Sequence, residues 1–223
     1  LQNAEHIEGF IEGNINNAMQ KCSGKWIKIL FSDDFFFDKY SLYNINSQLK
    51  LNDKTWAVIN SLHFDQESKK IYKPIIPYFQ KNILEVNTIG SPSALVLKNT
   101  QKILFDKKSW IRLDVDYYFS LFKKFGKPYY IKNVFIVNEI HKKQFSSLLL
   151  DKDKSIKIKL KKELEYLSYK HKYKTKSILS LFFLRLFIKL DRLLLSFLYK
   201  FFYLYFNNII AIYFKVKYRK YFR

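Results

Sequence analysis

This 223-residue chain has a single cysteine, Cys22. No internal disulfide is therefore available, and nothing argues for an oxidising compartment. Cys22 stands beside small and polar residues and reads as a packing residue. There is also no uninterrupted apolar run of the ~18–20 residues that would span a bilayer. The chain opens on Leu1, without the basic-then-apolar stretch and small-residue cleavage site of a signal peptide, and this reads as the edge of a longer chain. Acidic residues are scarce, with 19 Asp and Glu against 40 Lys and Arg, a net charge of +21. A chain with that balance wants an anionic partner, either nucleic acid or an acidic membrane face.

The excess is uneven. Residues 151–223 hold 19 of the basic and only 5 of the acidic side chains, so the last third carries most of the charge. Heavy use of Lys, Asn, Ile, Phe and Tyr fits an AT-rich genome, yet that does not concentrate lysine in the tail. The length suffices for one domain with a real core plus an appendage. The chain divides into a folded domain over 1–150, a basic helical segment or linker over 151–176, and an amphipathic tail over 177–223.

Within the first segment, strand and helix signals alternate. A short helix is expected from about Gly13 to Cys22, and a buried strand over 25–31, "KWIKILF", stopped by "SDD". Residues 38–52 look helical, 55–64 look like a strand, and the loop "NTIGSPS" leads to a strand at "ALVL". The helix expected over 115–126 closes on Gly126, a good C-terminal cap, and 127–138 is another strand. Such alternation indicates an α/β domain.

The tail is apolar but not uniformly so. Arg185, Lys189, Arg192, Ser196, Lys200, Tyr203 and Asn207 recur at spacings of three and four, one face of a helix. A basic stripe against a wide Leu/Phe face is expected to lie in the membrane interface, or else to pack on the domain or a partner chain. The tail's aromatics occupy the apolar face rather than standing among the basic residues as base-stacking platforms. Nucleic acid is therefore not the expected partner, although a basic, ribosome-associated protein remains the rival reading.

The chemistry begins at Asp33 and Asp34. Two adjacent carboxylates at the carboxyl end of a strand repel unless a cation or hydrogen-bond donors compensate them. Hard ions, Mg²⁺ or Mn²⁺, take carboxylate and phosphate oxygens together. Ser-Asp-Asp is equally an ordinary helix N-cap.

Four pieces in order, spanning roughly residues 9 to 147, carry more. They are the Asn-rich helix and small-residue turn from Asn16 to Gly24, the acidic pair, "GSPSALVLKN" leading to "LFDKKSW" and "LDVDYYFSLFKKFGKPYYI", and "HKKQFS". Together they resemble a bacterial family-2 glycosyltransferase. The resemblance implies a GT-A (Rossmann-like) fold lacking its first strands, followed by C-terminal amphipathic helices. It also implies a divalent metal, Mg²⁺ or Mn²⁺, and a nucleotide-sugar donor, UDP- or dTDP-linked.

By the same resemblance Asp33 and Asp34 match the acidic metal motif, with Asp34 the direct ligand. Asp114 falls where the family places its general base, although Leu113 replaces the usual preceding Glu. Asp116 is the fallback and is expected to cap the following helix. Asn16, Asp33, His141 and Gln144 border the donor diphosphate. Gly90, Ser91 and Ser93 match a loop on the acceptor side, with Trp110 a candidate to stack on a sugar. Structural readings stand beside these roles: His141 lies among charged residues as a surface histidine would, Trp110 reads equally as core filler, and Asp106 reads as a turn residue.

The sequence also departs from the family. The opening strand and the acidic residues that hold the nucleoside are missing, and Ile15 stands where many members have Arg. The expectation is the C-terminal two-thirds of a metal-dependent inverting transferase, held peripherally at the cytoplasmic face of the cell membrane. Its acceptor would be a glycan or lipid-linked, in surface polysaccharide synthesis. A non-catalytic truncated remnant is the third reading.

Overall fold

The computed structural model describes residues 11–72, 74–101, 103–109, 111–141 and 154–174. By internal contact the chain divides into Leu1–Tyr173 and Lys174–Arg223. The fold lies in the first of these units. Trp110, Gln144 and the expected amphipathic tail at 177–223 lie outside the described residues.

The described part is mixed α/β. Helix α1 (Ile11–Lys21) buries Ile15 and Met19 and leads to strand β1 (Trp26–Lys28). A turn closed by Asp34 N–H donating to Phe31 O opens strand β2 (Asp34–Phe36). The expected strand over 25–31 is thus only three residues long and ends before "SDD", whose last residue instead starts a strand. Leu30 lies exposed, so the apolar run there is not continuous core.

Helix α2 (Ser41–Lys50) follows, then β3 (Trp56–Asp65), whose first six residues are all buried. A short hairpin strand, β4 (Lys70–Ile71), pairs back onto β3. After a 3₁₀ turn at Pro92–Ala94 comes β5 (Leu95–Lys98), then helix α3 (Leu113–Phe125), the long strand β6 (Tyr129–Ile140) and helix α4 (Lys154–His171).

The sheet runs β1-β5-β3-β6-β2, with β4 beyond β3. Among the described strands only β3 and β6 pair in parallel; the other pairs are antiparallel. Their register slips between Val58 and Asn60, and nearby Asn133 takes the left-handed conformation, φ 58°. Gly126 does end α3: its φ is 74°, and its N–H reaches Phe122 O at 2.8 Å. The Trp56 indole N–H donates to Gly126 O at 2.9 Å, which ties that helix end to the sheet.

Burial explains the arrangement. Trp56, Val58, Leu95 and Leu97 are solvent-free on the central strands, and Tyr117, Tyr118 and Leu121 cover them from α3. Tyr118 stacks parallel to Trp56, with ring centroids 6.4 Å apart. Burying several such side chains, each worth ~1.5–3 kcal/mol, makes this layer the centre of stability. The basic segment over 151–176, expected to be helical or a linker, is a helix over Lys154–His171 and inserts Leu167 fully into the core.

Candidate functional site

The two carboxylates of the Asp33–Asp34 pair part company. Asp34 is the first residue of β2 and is 9 % exposed, while the side chain of Asp33 is 37 % exposed. Because β2 runs antiparallel to β6, Asp34 lies directly across from Asn138, near the carboxyl end of that strand. Burial raises the Asp34 pKa above the ordinary carboxylate value, with the neighbouring Asp33 charge adding to it. Hydrogen bonds from Ser93 and Asn138 and the charge of Lys28 oppose the rise.

Lys28, on β1, enters the same space. Its Nζ donates to Ile29 O at 2.6 Å and to Ser93 O, and lies 5.5 Å from the centre of the Phe36 ring. Burial pulls its pKa down to about 7, and Asp34 resists that fall. His141 Nε2 stands 3.8 Å from Asp33 Oδ2, so the histidine after β6 meets the outer carboxylate at the rim.

The "GSPS" loop is the bridge to the other half. Ser93 Oγ accepts the Phe31 N–H at 3.0 Å, which pins the turn before Asp34. Asn138 Nδ2 donates to Ser91 Oγ at 2.9 Å. The Tyr118 hydroxyl, on α3, donates to Ser91 O at 2.8 Å and Gly90 O at 3.2 Å. Burial, and secondarily the Asp114 charge, holds the Tyr118 pKa well above its usual value, so this hydroxyl stays a donor.

Gly90 has φ 116°, a region a side chain tolerates poorly, and a Cβ there would meet Ser61 Oγ at 3.4 Å. Its N–H and that of Ile89 both donate to Asn87 Oδ1 at 3.0 Å. The same Asn87 side chain donates to Gly90 O at 3.0 Å and to Asp114 Oδ2 at 2.5 Å.

Asp114, second residue of α3, is half-buried. Desolvation lifts its pKa to about 6, against the bonds from Val115 N–H, its own N–H and Asn87 and the charge of Arg112. A carboxyl group poised there changes protonation state just below neutral pH, which suits proton exchange.

Hydrogen bonds thus link Asn138, which stands across from Asp34, to the Ser91 hydroxyl. They also link Tyr118 to the carbonyls of Ser91 and Gly90, the latter shared with Asn87, which reaches on to Asp114. Gly90, Ser91 and Asp114 take part in this network, Asp34 and Ser93 adjoin its Asn138 end, and Asp33 with His141 lies at the rim beyond. Asn16 stays outside it. Its amide donates to Phe105 O at 2.9 Å and its carbonyl accepts the Phe105 N–H at 2.7 Å, which spends both polar ends on fastening a loop.

Asp116 departs from its expected roles. The residue before α3 is Arg112, without a side-chain cap. Asp116 is turned to α4 instead, 2.8 Å from Lys170 Nζ and 2.6 Å from His171 Nε2. Asp106 is likewise more than a turn residue: besides accepting the Lys108 N–H, it takes Lys170 Nζ at 2.7 Å and the Tyr166 hydroxyl at 2.6 Å.

Sequence reasoning missed Lys28, Asn87, Asn138 and Tyr118. Asn87 had a signal, since an Asn three residues before a glycine is a common side-chain-braced turn. The others depend on register and helix packing.

Fit to a divalent cation turns on the oxygens present. Among the described residues no group of three or more His, Cys, Asp and Glu gathers to cage a metal. Asn138 Oδ1, however, is a buried oxygen with no hydrogen-bond partner, beside Asp34. The inward Asp34 carboxylate and this carbonyl offer oxygens to an ion that keeps waters and phosphate oxygens in its shell, as Mg²⁺ does, with Asp33 further out at the rim. No protein-family model matches the chain, and no curated protein is detectably similar to it.

Proposed function

We propose that this domain is the metal and acceptor half of an inverting glycosyltransferase of GT-A type. Its reaction would move a sugar from a nucleotide-sugar donor to a hydroxyl of a glycan or lipid-linked acceptor. The observation that carries this reading is that one loop, Gly90–Ser93, is bonded on one side to Asn138, the cross-strand neighbour of the inward carboxylate Asp34, and on the other to Asn87, which holds the half-buried Asp114.

Asp34, Asp33 and the Asn138 carbonyl would hold Mg²⁺ or Mn²⁺. When bound, such an ion neutralises the charge that develops on the departing diphosphate. Asp114 accepts the acceptor's proton as that oxygen attacks the anomeric carbon. The new C–O bond forms as the sugar–phosphate bond breaks, and its electron pair leaves with the nucleoside diphosphate. A single displacement with one base on the acceptor side inverts the anomeric centre. Asn87 fixes the orientation of the base, and the backbone of Gly90 and Ser91 shapes the wall between the two carboxylates. Lys28 offsets the Asp34 charge from below.

A membrane-surface location is suggested by the sequence of residues 177–223 and by the chemistry of a lipid-linked acceptor. Among the described residues no helix is long and apolar enough to cross a membrane.

Calorimetry of UDP binding in the presence and absence of Mn²⁺, on this chain and on Asp34→Ala, tests the reading. Binding that needs both the ion and Asp34 is expected. If the wild-type protein with Mn²⁺ ignores UDP, the transferase reading fails. Gel shift on RNA would then revive the nucleic-acid alternative.

A further inference from the structure

Asp114 owes its place to the backbone of residues 111–115, and that backbone is fastened from outside its own helix. Arg112 at the start of α3 supplies no capping side chain. The first N–H groups of a helix have no partner within it and must be met otherwise. The carboxylate of Glu163, on α4, accepts the Ile111 N–H at 3.0 Å through each of its oxygens. It also accepts the Arg112 N–H at 3.0 Å and the Ser109 hydroxyl at 3.1 Å. Glu163 is 9 % exposed and more than fifty residues away in sequence, so it is a cap delivered by tertiary packing. A negative charge at this end is also favoured by the helix macrodipole.

The second fastening lies further along α3. Lys170, two helical turns beyond Glu163 on α4, bonds both oxygens of Asp116 at 2.9 and 2.8 Å, and His171 adds a 2.6 Å contact. Asp114 is thus bracketed, with α4 holding the backbone before it and the side chain after it. Its own carboxylate accepts the Val115 N–H at 2.8 Å on one oxygen and the Asn87 amide on the other.

We infer that Glu163 is a positioning residue for Asp114, setting through α4 where that carboxylate stands relative to the "GSPS" loop. For catalysis this rests on Asp114 being the base; the positioning itself does not.

The test uses the full chain with Glu163→Gln, Glu163→Asp, and Glu165→Gln as a control on the exposed side of the same helix. Carboxylate ¹³C resonances of Asp114, assigned through Asp114→Asn, are followed against pH. Arg112 and Tyr118 of α3 and Asn87 of the loop are the groups facing it that shape its titration. Wild-type protein and Glu165→Gln are expected to titrate alike.

Glu163→Gln, in which an amide NH₂ faces a backbone donor, is expected to move the midpoint or split the resonance. Glu163→Asp, which keeps the charge on a shorter arm, should fall between. In sugar-transfer assays the same order should appear in kcat, with ~10–100-fold lost in Glu163→Gln and KM nearly unchanged, the scale at which misplacement of a catalytic group acts. A folded Glu163→Gln, or a folded Glu163→Asp should the first not fold, with an Asp114 titration identical to wild type would overturn the inference. An altered titration without transfer by any form would sink the transferase reading alone and leave the positioning intact.

Discussion

Two carboxylate pairs sit on opposite sides of α3, and their surroundings differ in kind. Asp106 and Asp116 face α4, where Lys170, His171 and the Tyr166 hydroxyl meet them. Burial alone would push the Asp106 carboxyl up, but the Lys170 and Tyr166 bonds outweigh it and hold the pKa down at about 2. Lys170 gains in return: burial works against its charge, yet the two aspartates raise its pKa above the ordinary lysine value. Asp34 and Asp114 are supplied mainly with neutral donors; the charges that help them are Lys28, which burial itself weakens, beside Asp34, and Arg112 near Asp114, and neither offsets the effect of burial. Both have raised pKa values. Buried carboxylates that are fully compensated are structural; those left short of positive charge are where a cation or a proton can be taken up.

The comparison breaks most visibly at Asp114. Asp114→Asn should cost ~10²–10⁴-fold in transfer rate, the range of a general base, measured on a donor–acceptor pair with the complete site. Its stability signature has the opposite sign. The folded pKa near 6 lies above the ordinary 3.8, so folding favours the protonated form, and that stabilisation fades as pH rises through this window. The variant should therefore lose the associated decline in Tm between about pH 4 and 6. A decline that persists unchanged would place the proton elsewhere.

On the other side of α3, Lys170→Met should cost stability rather than chemistry. Removing one partner of a buried charge cluster typically costs ~3–5 kcal/mol. Because Lys170 keeps partial exposure, a loss of ~2–3 kcal/mol read from urea unfolding is the expected outcome. Wild-type-like stability would show that His171 alone satisfies Asp116. Asp106 contributes in the usual carboxylate sense: its stabilisation is present above the ordinary pKa of 3.8 and is lost as pH falls through about 2.

The smallest effect belongs to the loop between the two halves. Gly90→Ala at φ 116° should destabilise by ~1–2 kcal/mol and loosen the Asn87–Asp114 contact. An unchanged Tm with unchanged Asp114 titration would show that the loop adapts.

Much of the fold was legible locally. Gly126 announced the end of α3, the apolar runs at 55–64 and "ALVL" are central strands, and their alternation with helices signalled the mixed α/β class. The strand at 25–31 is shorter than its apolar composition suggests, because composition does not say how many residues find a pairing partner. Within the site, Asp33 and Asp34 stood out by residue type, whereas Asp114 and the "GSPS" loop were singled out only through the family resemblance. Asn138 stood out by neither, since only the β2–β6 register sets it against Asp34. Lys28 reads as one more lysine in a lysine-rich chain, although its ammonium bonds Ile29 O and Ser93 O beside Asp34. Glu163 was hidden most completely: its segment reads as charge, and nothing local distinguishes it from Glu165 two residues on.

Asp34 begins a three-residue strand at the sheet's margin, whereas Asp114 rides on a thirteen-residue helix packed over the core. Short marginal strands open at a small fraction of the free energy of global unfolding. The Asp34 side of the proposed site is therefore expected to open more readily than the Asp114 side. Any ligand that grips Asp34 is then also a fastener for the sheet's edge, and its residence time is bounded by how long that strand stays zipped.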